Sequence, residues 1–126
     1  MAKMTQEVMD LLKDPQASKI LATVDAAGIP NVVPKGSLTA LDEETIAFAD
    51  IYGGKTRANL EINKKVAVAA VKAAVGHQVK GTLQEFQTSG PIFDNFTKMM
   101  KSMGMTPNAV GIIKVEEVYS LTPGKK

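Results

Sequence analysis

The chain has 126 residues, 44% of them hydrophobic and 22% charged, with a formal net charge of +2; that suits one domain with a modest core and leaves no broad basic surface for nucleic acid. It has no cysteine and one histidine, His77, which excludes disulfides, thiolate metal sites and cysteine-ligated clusters and argues against a zinc enzyme. The N-terminal pattern is polar and helical, with neither a signal peptide nor a membrane span, so a cytoplasmic protein is expected.

Met4, Val8, Leu11 and Leu12 fall at helical spacing over Met4–Lys13, and Asp14 with Pro15 marks the stop. This reads as a lid or packing helix. Ser18–Val24 reads as a strand, Asp25–Pro30 as a turn, and Asn31–Ser37 as the returning strand of a hairpin. Pro34 cannot donate to a ladder, so that strand breaks or has an edge there. Gly36 follows, and Lys35 and Ser37 sit at the break, as a ligand wall would have them. Asp42–Glu44 is a turn and Thr45–Asp50 a third strand.

Ile51–Asn59 (IYGGKTRAN) joins that strand to a short helix over Thr56–Ile62. Two glycines free the backbone, Lys55 and Thr56 follow, and Arg57 is the only arginine. Unpaired N–H groups at a helix start carry partial positive charge and suit a phosphate. The bland reading is a tight turn with a solvated lysine. The nucleotide-binding P-loop needs a glycine five positions before Gly54, where this chain has Ala49. No glycines fall at the dinucleotide-binding spacing either.

Lys65–Val75 is rich in valine and alanine and fits strand or helix. Gly76 and the extended run Gln78–Phe86 favour strand, as part of a hairpin, with Gly81 marking a bulge. His77 reads as a surface histidine. Pro91–Met103 is a helix with Ser89 as a possible cap, Pro91 in its first turn and Gly104 at its end. Its stripe of Ile92, Phe93, Phe96, Met99, Met100 and Met103 reads as core packing. Ala109–Tyr119 is the last strand, with Glu116 and Glu117 on opposite faces. Thr122–Lys126 reads as a frayed, solvated end. Hairpin connections dominate, so the expected fold is mainly β (α+β): an antiparallel, Greek-key-like split β-barrel with flanking helices. No nucleophile–base pair stands out, so a cofactor would carry any chemistry.

Three segments resemble the pyridoxamine 5′-phosphate oxidase-like family of FMN-binding split β-barrels. They are Lys19–Lys35 (KILATVDAAGIPNVVPK), Phe48–Val68 (FADIYGGKTRANLEINKKVAV) and Val79–Gln84 (VKGTLQ). The resemblance runs from Ser18 to Phe86 and implies FMN as cofactor. It implies that Lys55 and Thr56 hold the phosphate, with backbone access at Gly54 and Arg57 nearby. The backbone of Ala49 and Asp50 would lie along the flavin and ribityl chain, and Pro34, Lys35, Gly36 and Ser37 would border the ring. Gln78 would reach the flavin across the interface of a homodimer. Family members often place more basic residues around the phosphate. The pyridoxamine phosphate oxidases themselves are much longer, with a C-terminal substrate segment unlike anything here, so electron transfer or flavin-dependent redox of a small substrate is the expectation. The alternatives are an F420-binding reductase and a cofactor-free binding module on the same fold. Haem would have only His77 as a histidine ligand.

Overall fold

The structure, a computed structural model, describes residues 2–124. Among them, three helices flank one seven-stranded antiparallel sheet. Helix α1 (Gln6–Lys13) opens the fold; Thr5 caps it by accepting a hydrogen bond from the Val8 N–H. Strands β1 (Ser18–Val24) and β2 (Pro30–Pro34) form the first hairpin. Asp25 fixes its turn, because one carboxylate oxygen accepts from both the Ala27 and Ile29 N–H groups at 2.9 Å.

Strands β3 (Thr39–Asp42) and β4 (Thr45–Asp50) follow. Four strands therefore precede the glycine loop, where the sequence pattern predicts three. The break at Pro34 is a true strand end: the chain turns through residues 35–38, closed by the Leu38 N–H on the Lys35 carbonyl at 3.1 Å, and resumes as β3. Helix α2 (Gly54–Ile62), β5 (Lys65–Lys72), β6 (Val75–Gln87), α3 (Pro91–Lys101) and β7 (Ala109–Ser120) complete the order.

The ambiguous run at Lys65 is strand because β1 and β6 pair it on both sides, which overrides the helix preference of its alanines. The β5–β6 turn lies at Ala73 and Ala74, two residues before Gly76. The register of β6 on β7 shifts between Lys80 and Gly81, as a bulge would shift it. A Cβ on Gly81 would lie 2.3 Å from the Lys114 carbonyl oxygen, so only glycine allows that approach. Ser89 does not cap α3: Gly90 holds the N-cap position without a side-chain bond, and the helix stops at Lys101. Thr122 is anchored, its hydroxyl accepting from the Gly76 N–H at 3.1 Å; the expected solvated lysines 125 and 126 lie outside the described residues.

The sheet order is β2-β1-β5-β6-β7-β4-β3, so β2 and β3 are its two edges. The sheet curls around one core containing Leu21, Phe48, Val68, Leu83, Ile113 and Val115. Helix α1 plugs that core with Val8, Leu11 and Leu12. Helix α3 packs Phe96 and Met100 against Ala47, Ala49, Val110 and Ile112 on the other side of β4 and β7. This is the split-barrel arrangement that the hairpin count implied. No helix among the described residues is long and apolar enough to cross a membrane.

Candidate functional site

Strand β4 runs through Ile51 and Tyr52 into a left-handed pair of glycines, Gly53 (φ 70°) and Gly54 (φ 63°). A Cβ on either would meet no atom within 4 Å. Glycine is required there by backbone conformation rather than by space. Gly53 gives α2 no side-chain cap, and the first turn contains no acid. Its leading N–H groups are therefore unpaired and positively polarised, with Lys55 exposed beside them. Thr56 is buried, and its hydroxyl accepts from the Asn31 side-chain amide of β2 at 3.3 Å. One turn on, the amide of Asn59 donates to the Thr23 hydroxyl at 3.1 Å, docking α2 on β1.

Arg57 is committed elsewhere. It donates to Asp50 at 2.7 Å, and its guanidinium lies 3.9 Å above the Phe86 ring. Asp50 is almost completely buried; its other oxygen accepts from the Gly53 N–H at 2.9 Å. Both side chains hold the loop itself.

A cleft of about 550 Å³ opens on the β3 side of the β4 end, a volume typical of small-molecule sites. Pro34, Lys35, Gly36, Ser37 and Ala49 all line it, so the broken-strand residues and the end of β4 do come together. The Ser37 hydroxyl accepts from the Ala49 N–H at 2.9 Å, tying the turn to the part of β4 that runs past its pairing with β3. Lys35 Nζ sits 5.7 Å from the centre of the Phe48 ring. Burial pulls its pKa below the ordinary lysine value, and the charge of Asp50 partly opposes that.

The opposite wall is thioether-rich, with Met99, Met100, Met103 and Met105. The expected stripe thus divides: Phe96 and Met100 are core, whereas Met99 and, just past the end of α3, Met103 are exposed and face the cleft. Lys55, Thr56 and Arg57 do not line the cleft; Tyr52, which does, links it to the helix start. Gln78 is apart from both. It lies on β6 in the cross-strand row Pro34, Ile20, Ala69, Gln78, three strand spacings or about 14 Å from Pro34.

Sequence reasoning missed Lys13 and Lys19, which also line the cleft. Lys19 had a signal: it occupies the inward phase of β1, shared with Leu21 and Thr23, where an apolar residue is the norm. His77 pairs at 2.8 Å with Glu7 of α1, away from these groups. No three potential metal ligands cluster among the described residues.

The family model described as pyridoxamine 5′-phosphate oxidase matches residues 4–122, and the chain belongs to that family. No curated protein matches it. Group A Streptococcus HupZ, in an epitope-tagged form, is 36% identical over 98% of either chain, with a TM-score of 0.85. A Lactobacillus delbrueckii protein provisionally assigned as a pyridoxamine 5′-phosphate oxidase is 32% identical over 93% of either chain, with a TM-score of 0.74. An FMN-binding protein from Syntrophomonas wolfei subsp. wolfei, 21% identical over 91% of this chain and 90% of that one, shares the fold with a TM-score of 0.78. An F420 reductase and the Vibrio cholerae haem-storage protein HutZ also have this fold.

Proposed function

We propose that the chain is a single FMN-binding domain, working as a cytoplasmic homodimer in electron transfer or in flavin-dependent oxidation or reduction of a small substrate. The observation that carries this reading is the uncapped, glycine-led start of α2, one short loop away from the Lys35 cleft. The residues present fit a phosphorylated flavin. The α2 N–H groups, Lys55 and the Thr56 hydroxyl would hold the phosphate, through bonds of the charge-assisted kind. Pro34 to Ser37 and Ala49 would border the ring, and the ammonium of Lys35 would favour negative charge that collects there. Bound FMN would supply the redox chemistry itself. Asp50 and Arg57 act as positioning residues that fix the loop, which answers the shortage of basic groups: the lone arginine is structural. The family and the fold-sharing FMN-binding protein support the same cofactor.

The homodimer has its own support. Ile20, Ala22, Ala67, Ala69 and Val71 lie on the outward phase of β1 and β5, half-exposed, with Gln78 beside them. A second copy packed there would cover this face and give Gln78 a role across the interface.

Titration with FMN tests the reading by visible absorption and flavin fluorescence. Saturation at one FMN per chain is expected. Replacing Lys55 and Thr56 together by alanine removes bonds of about 1.5–3 kcal/mol each and weakens FMN at least tenfold. Unchanged affinity in that variant overturns the phosphate assignment. Because an F420 reductase shares the fold, the same titration with F420 decides which cofactor binds more tightly.

A further inference from the structure

Lys19 is a largely buried lysine whose ammonium pairs with no acid among the described residues. The residue is 8% exposed, and charged side chains so deeply placed are ordinarily paired. Among the described residues no carboxylate forms an ion pair with it. Asp14, whose field reaches it, is bonded at 2.8 Å to Lys72 instead. The only sealed side-chain nitrogen or oxygen without a partner among the described residues is Arg57 Nε. The ammonium of Lys19 is therefore not sealed from solvent, and the residue lines the cleft. Lys13, in the last turn of α1, and Lys35 line the same space, and no aspartate or glutamate does. Facing them are the exposed thioethers of Met99 and Met103, a polarisable apolar surface that adapts to varied shapes.

Positive charge on one wall and adaptable apolar surface on the other define a ligand class. We propose that this end of the cleft binds an amphipathic organic acid, with its carboxylate on Lys19 beside Lys13 and its apolar body on Met99 and Met103. The inference deepens the flavin reading by naming the class of the second ligand, and it rests on that reading only for the ligand's place beside the ring. The ligand's carboxylate would be the counter-ion that no carboxylate of the described residues supplies to Lys19.

The test uses naphthoate as the probe, with uncharged naphthylmethanol as its control, followed by calorimetry and by NMR of methionine methyl groups. Naphthoate is expected to shift the Met99 and Met103 methyls and to leave Met4, buried in the barrel core, unmoved. Lys19→Met is expected to weaken naphthoate at least tenfold, Lys19→Arg to retain it, and the alcohol to bind at least tenfold more weakly. Met103→Glu, at an exposed position that does not threaten folding, places a negative charge on the wall and is expected to weaken naphthoate as well. Equal binding of acid and alcohol, or affinity indifferent to both Lys19→Met and Met103→Glu, overturns the proposal. FMN binding is read separately from its absorption. FMN without naphthoate binding removes this inference alone; naphthoate without FMN binding removes the flavin reading and keeps the acid site.

Discussion

Arg57 reaches back from the first turn of α2 to Asp50, the last residue of β4, and Asp50 in turn accepts from the N–H of Gly53. One carboxylate thus fixes both ends of the loop that presents Gly54, Lys55 and Thr56. Asp50→Asn keeps the shape and removes the charge, leaving Arg57 over the Phe86 ring without its counter-ion. Breaking a buried pair costs about 3–5 kcal/mol. The Arg57 side chain is 31% exposed, so a loss of about 2–3 kcal/mol is expected in urea unfolding. Arg57→Met in the same background should add little, because the coupling is already gone. Additive losses would show that the two residues stabilise the fold independently.

Gly111 and Phe48 form a second tight relationship. A Cβ at Gly111 would lie 2.5 Å from the Phe48 ring, which is itself fully buried in the barrel. Gly111→Ala is expected to cost about 1–3 kcal/mol by overpacking, visible as a lowered Tm. Adding Phe48→Leu should recover part of that loss by making room. A Tm lowered equally in both variants would place the strain elsewhere.

Burial lowers the pKa of Lys19, with Asp14 opposing weakly. The unfolded chain regains an ordinary lysine with a pKa of about 10.4. Between the lowered value and the ordinary one, the unfolded state binds more protons than the folded state, so stability rises with pH across that window. Lys35 acts in the same direction. The difference in unfolding free energy between the native chain and Lys19→Met should therefore change in the native chain's favour from neutral pH to about pH 10. A difference that is flat with pH would mean that Lys19 keeps its ordinary pKa in the fold.

The sheet was legible because its determinants are local. Asp25–Pro30 is turn chemistry, Ser18–Val24 leads into that turn as a strand would, and Pro34 cannot continue a ladder. The missing strand, β3, was hidden because Thr39–Asp42 is only four residues with no clear alternation of its own; it exists because β4 pairs with it. A helix start just after the glycine pair was legible because two glycines and Lys-Thr need no tertiary information, although α2 begins at Gly54, two residues before the expected Thr56. The partner of Arg57 was not, since adjacent helix residues point about 100° apart and nothing in the string GKTR shows which of them turns inward. Lys13 and Met99 line one cleft only because α1 and α3 are placed there by separate contacts with the sheet. No spacing rule spans that distance.

Ala69 is the most direct test of the homodimer. It lies on the outward face of β5, opposite Ile20 on β1 and Gln78 on β6. In a lone chain a glutamate there would stand in water beside two strands and change little, because a half-exposed position tolerates charge. In a dimer packed through this face it would be desolvated at the centre of the contact and opposed by its own symmetry mate, a cost of several kcal/mol. Light scattering should give twice the 13.4 kDa chain mass for the native protein and the single mass for Ala69→Glu. If the partner chain helps to hold FMN through Gln78, the same variant should also weaken FMN, and raising the protein concentration should restore it. A dimer that survives Ala69→Glu would move the interface off this face and with it any role of Gln78 toward the flavin.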